Sequence, residues 1–198
     1  MNGKISSSKS EAKVAILFTW SLLVTFPAIF LLSYYLQNLR EFNIGILVFT
    51  LLGILACIGA IIATLVMFII WFYKAYSTLY QKTPDLKYKK RWAVLSWIIP
   101  VVNFYLPYLL LKDMYSNITI LTNNSAATES LKKLTAVNIW WGLYILGWIL
   151  DIGYYAVIYP DNSAVFNVVT YILIIPSVWF TVKIIQNYCE FEEKLFID

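Results

Sequence analysis

The sequence predicts an all-α integral membrane protein: four transmembrane helices and a proline-broken helical hairpin, re-entrant or interfacial, with a fifth span as the alternative. Three observations predict this class. Hydrophobic residues make up 61% of the 198-residue chain and charged residues only 13%, with a mean hydropathy of +0.71, whereas about a quarter of a soluble chain is charged. The charges fall between long apolar runs at about 14–36, 44–73, 92–111, 134–159 and 164–182, each near the ~20 residues that cross a ~30 Å hydrocarbon core. One of those runs, the third, carries two prolines and an asparagine. No polar stretch is long enough for a second domain, so residues 14–188 read as one membrane domain between a cytoplasmic N-tail at 1–13 and a cytoplasmic C-tail at 189–198.

The first run follows Lys4, Lys9 and Lys13 and is 23 residues long, longer than the ~7–15 residues of a secretory signal core, with no small-x-small cleavage site after it. It reads as a retained signal anchor. The second run would extend ~45 Å as a helix and should tilt or project. Gly53, Ala56, Cys57, Ala60, Ala63 and Thr64 give it a small-residue face for close packing, within the chain or in a homodimer. In the third run Pro100 and Pro107 flank Asn103. Each proline lacks a donor and clashes with the carbonyl four residues back, so a straight helix breaks there. The fourth run carries Asp151, and the fifth ends before the tail Cys189-Glu190-Phe191-Glu192-Glu193-Lys194, which reads as a helix projecting into water. Ser6-Ser7-Ser8 and Thr122-Asn123-Asn124-Ser125 read as mobile polar segments.

Basic residues decide between the two threadings, because Lys and Arg are retained on the cytoplasmic side. If the third run turns back, fourteen of the fifteen basic residues share one side with both termini, leaving Arg40 alone outside; if it crosses, the split is nine against six. Turning back is the expectation. Trp71, Phe72, Tyr73, Tyr76, Trp140 and Trp141 are then expected at the inner interface, and Tyr34, Tyr35, Tyr154, Tyr155 and Tyr159 at the outer one.

Several chemistries are excluded outright. The chain has no histidine and two well-separated cysteines, Cys57 and Cys189, so it lacks His-based nucleophile pairs, zinc sites and thiolate clusters. No glycine fingerprint for nucleotides is present. No catalytic residue, metal ligand or cofactor is assigned, and the net charge of +4 is explained by membrane topology rather than by nucleic acid. The candidate functional groups are polar residues inside apolar runs. Asp151 is either structural, bonded to Asn167, Thr170 or Tyr34, or part of a solute or proton path. Asn103 either satisfies freed backbone groups at the hairpin tip with its amide or lines a binding site, as broken helices do in transporters. Lys82, Lys87, Lys89, Lys90 and Arg91 form a basic loop beside the hairpin that attracts anionic headgroups.

The residues Trp71, Lys74, Ala75 and Tyr76, followed by Trp92, Trp97, Pro100, Asn103, Pro107 and Tyr108 with Lys112-Asp113, resemble a bacterial membrane family called domain of unknown function 4328. The resemblance is close from Ile69 to Tyr115. Lys74 stands where arginine is usual and Thr78 where asparagine is expected, and lysine lacks the planar fork for a bidentate anion contact. The resemblance implies a bacterial cytoplasmic-membrane protein and supplies no activity. The expected role is a non-enzymatic membrane module recognising a partner protein or anionic lipid through the basic loop and hairpin; the alternative is a small-solute, ion or proton permease component using Asp151.

Overall fold

The computed structural model describes residues 7–38, 43–83, 86–121, 127–153 and 163–197, without the side chains of 37, 119, 127–133, 163–167 and 195–197. The described residues form seven helices and no strand: α1 (Lys9–Gln37), α2 (Ile44–Lys82), α3 (Trp92–Ile98), α4 (Pro100–Asn103), α5 (Leu106–Leu121), α6 (Ala127–Gly153) and α7 (Ser163–Ile197). Four of them, α1, α2, α6 and α7, contain stretches long and apolar enough to cross a membrane. The protein is a multi-pass membrane protein.

Paired contacts fix the helix directions. Ser8 meets Glu192 while the Tyr171 hydroxyl reaches the Leu23 carbonyl, so α1 and α7 are antiparallel. Glu11 pairs with Lys74 and the Thr64 hydroxyl with the Phe18 carbonyl, so α1 and α2 are antiparallel too. The small-residue face of α2 therefore receives α1: a Cβ at Gly53 would come within 2.9 Å of Leu32. Both ends of the described chain lie at one end of the bundle, here the proximal end, with Asn43 and Asp151 toward the distal end.

The third apolar run turns back. At Ile99 the backbone opens to an extended conformation (φ −83°, ψ 114°), and Pro100 starts α4, where its missing N–H removes no helical bond. Pro107 likewise sits in the first turn of α5. The turn is closed by backbone bonds, Asn103 N–H to Ile99 O at 2.9 Å and Tyr105 N–H to Val102 O at 3.2 Å. Residues 92–103 rise only about 18 Å before that turn, too little to cross, so the five-span alternative fails. The prolines break the helix as expected, but as the starts of new helices rather than as kinks. Pro27 and Pro176, by contrast, sit inside continuous helices.

Helix limits exceed the apolar runs. α1 begins at Lys9, within the stretch read as a tail, and α2 continues to Lys82, giving a helix about 58 Å long. The buried core lies almost entirely at the proximal end, where Trp71, Phe72, Ala75, Tyr76, Leu110, Met114, Tyr115, Ile185, Tyr188 and Phe191 form one cluster.

Candidate functional site at the hairpin

Tyr76 organises the hairpin. Its hydroxyl donates to the Tyr88 carbonyl at 2.7 Å and lies 3.4 Å from Asp113 Oδ2, so the approach to the first arm and the middle of the second converge on one side chain of α2. Asp113 also accepts from the Asn117 amide at 3.0 Å. Burial nevertheless holds its carboxyl above the ordinary carboxylate range, against the opposing pull of these donors and of the Lys87 backbone and charge. Tyr115, two residues further along α5 and fully buried, donates to the Ile184 carbonyl at 2.6 Å, and burial pushes its phenol well above the usual value. It is a fixed neutral donor.

Trp97 carries the hairpin's apolar contacts. Its ring meets Phe68 edge-on at 5.3 Å, Phe72 at 6.2 Å and Trp140 at 6.4 Å between centroids. Deeper in, Phe104 packs on Trp148 at 5.5 Å and the Tyr108 hydroxyl donates to Asn138 at 3.0 Å, which runs α5 antiparallel to α6. Trp71, Phe72 and Tyr76 are 0% exposed. The expectation of a lipid-facing aromatic belt is thus wrong for these three, because the hairpin covers Phe72 and Tyr76 and Tyr188 of α7 packs on Trp71; Tyr73 alone of that group is exposed, and Tyr34 and Tyr35 are exposed as well.

The basic loop is exposed but anchored. Leu86 is buried beneath it and the Tyr88 carbonyl is held by Tyr76, while Lys82, Lys87, Lys89, Lys90 and Arg91 face outward. Trp92 packs against the core cluster. Lys74, the lysine in the arginine position of the motif, pairs with Glu11 of α1 at 2.6 Å, a single-point contact that needs no fork. Ala75 is buried, and its carbonyl accepts from the Tyr188 hydroxyl at 3.0 Å; a larger residue would push α7 away.

The candidate polar groups diverge from expectation. Asn103 Oδ1 is shut away without a hydrogen-bond partner among the described residues, so the acceptor half of its expected role is not found there and the backbone closes the turn instead. Asp151 is exposed on α6 and has no hydrogen-bond or ionic partner among the described residues. It lines a cleft with Thr170 and Trp148 that Asn103 does not join. Tyr34 points outward rather than into that cleft, and the side chain of Asn167 lies outside the described residues, as do Tyr154, Tyr155, Tyr159 and Thr122 to Ser125.

One polar site was missed by sequence reasoning. Glu192 is 0% exposed and accepts from the Ser8 N–H at 2.9 Å, the Ser8 hydroxyl at 2.8 Å and the Ser7 hydroxyl at 3.1 Å; Lys9 pairs with Glu193 beside it. The start of α1 is therefore clamped to the end of α7, and Ser7 and Ser8 are not a loose tail. The signal existed in the sequence: Ile184, Ile185, Tyr188 and Phe191 continue the helical apolar stripe past Val182, with Glu192 on the same face.

Residues 35–189 match a family model described as a domain of unknown function (DUF4328). No curated protein and no solved structure matches the chain.

Proposed function

The chain belongs to the DUF4328 family, and we propose that it acts there as a non-enzymatic module of the bacterial cytoplasmic membrane that recognises anionic lipid headgroups through the basic loop and adjacent hairpin. The observation that carries the reading is the anchoring of that loop: its backbone is pinned by Tyr76 and by buried Leu86 while its cations project outward. A pinned array of cations loses little entropy on meeting headgroups. Each basic residue near an anionic leaflet contributes about 1 kcal/mol. The positive-inside bias puts the loop and both termini in the cytoplasm. A non-enzymatic role is favoured because the carboxylates near the hairpin are engaged in structural bonds, Asp113 with Tyr76 and Asn117, Glu192 with the serines, Glu11 with Lys74.

Lipid retention by the purified chain tests this. Native mass spectrometry from mixed phosphatidylglycerol and phosphatidylcholine is expected to show phosphatidylglycerol retained by the wild type and lost when Lys87, Lys89, Lys90 and Arg91 are all changed to Gln. Equal retention in both would overturn the lipid reading, and turnover of any lipid would overturn the non-enzymatic one. For orientation, Asn38→Cys should label from outside intact cells and Lys89→Cys should not.

A further inference from the structure

A chamber of about 290 Å³ opens above the hairpin, between α1, α2, α6 and α7, with Phe68, Trp97 and Trp140 as its floor. Its threonine and serine hydroxyls are spent on the backbone: Thr19 donates to Ala15 O, Thr64 to Ala60 O, Ser177 to Leu173 O and Thr181 to Ser177 O, all at 2.7–2.8 Å. The chamber therefore presents an apolar lining. A second cleft of about 250 Å³ shares Phe26, Tyr144, Ile174 and Ser177 with it and extends to Asp151, beside Trp148. The two adjoin along these four residues.

An unpaired carboxylate within a membrane-spanning segment is costly, and it demands a proton or a cation. No described side chain supplies the cation; Lys183 of α7 lies over the Trp179 ring, 4.6 Å from its centroid, two residues past Thr181, which bonds Trp140 at the chamber floor. From Trp140 to Asp151 is eleven residues of one helix, about 16 Å, the length scale of an extended dodecyl chain. Trp148, one turn from Asp151, and Tyr144, two turns from it, line the same cleft, and aromatic rings attract ammonium groups. From this we propose that the adjoining clefts bind a single-tailed lipophilic cation, its ammonium head at Asp151 beside Trp148 and its alkyl tail running past Tyr144 into the chamber above Trp97. Charge complementarity selects this occupant: a neutral chain leaves Asp151 unpaired, and an anionic amphiphile is repelled by it.

The full-length chain in nanodiscs of zwitterionic lipid provides the test, with 12-bromododecyltrimethylammonium as probe, since bromine on the tail quenches tryptophan at contact. Saturable quenching is expected with the wild type and only non-saturable quenching with 12-bromododecanol. Asp151→Asn should weaken the saturable phase by about tenfold, the size of one charge-assisted contact, and Asp151→Glu should restore it. Ser177→Phe, which fills the junction of the two clefts, should abolish it with the charge intact. Quenching that never saturates, or that saturates equally with the alcohol or in Asp151→Asn, would overturn the proposal. Because Asn is nearly isosteric with Asp, an unchanged helical circular dichroism spectrum accompanies an interpretable loss, and Ser177→Phe tests the same site independently should Asp151→Asn fail to fold.

Discussion

The two ends of this bundle are built on different principles. At the proximal end the hairpin wedges between α2, α6 and α7, so six helix segments fill the cross-section and large aromatic side chains are fully buried. At the distal end only the four long helices remain among the described residues. There Val24, Leu31, Phe49, Leu52, Leu55 and Ile152 turn outward, and the space the hairpin does not reach persists as clefts. Between helices in lipid, apolar surface gains little by association, and packing and hydrogen bonds hold them together. Stability should therefore concentrate where the wedge is, and ligand space where it is absent.

The contrast is broken most severely by emptying the proximal core. Trp71→Ala removes a side chain meeting Phe68, Phe72 and Tyr188 and is expected to cost about 3–5 kcal/mol, whereas Leu55→Ala on the distal exterior should change stability by less than about 0.5 kcal/mol; reversible unfolding in mixed micelles compares them. Similar losses at both sites would remove the distinction. Next comes the clamp. Glu192→Leu leaves the Ser8 N–H and hydroxyl without their acceptor, at about 1–3 kcal/mol, and protease cutting near Ser8 should accelerate.

A smaller effect is expected from Tyr76→Phe, which deletes the hydroxyl shared by the two arms at about 0.5–1.5 kcal/mol. Hydrogen exchange should then quicken through α5 before it changes in α1; uniform quickening would show the arms are not joined there. The smallest is a pH effect at Asp113. Its folded-state value lies above the ordinary ~3.9, so within that window the folded chain holds a proton that the unfolded chain has released. Stability is then greatest below the window and declines as pH rises through it. Asp113→Asn should flatten that slope in unfolding curves.

Hydropathy and charge determined much of this protein by themselves. Four long apolar runs could become little but spanning helices, since every backbone polar group in lipid must be bonded internally, and the prolines at 100 and 107 with the basic residues around them favoured a segment that turns back over a kinked fifth span. The family motif was legible too, because Trp97 and Tyr76 stand out by type. Tertiary structure alone decided which face each residue meets. Phe72 and Tyr76 read as interfacial rings until the hairpin covers them, Glu192 reads as solvated until Ser8 docks on it, and Asp151 reads as glue or as part of a polar path until the helices leave a cleft beside it. Apolar runs encode entry into the membrane, which depends on each segment's own transfer energy, while partners inside it depend on contacts between segments far apart in the chain.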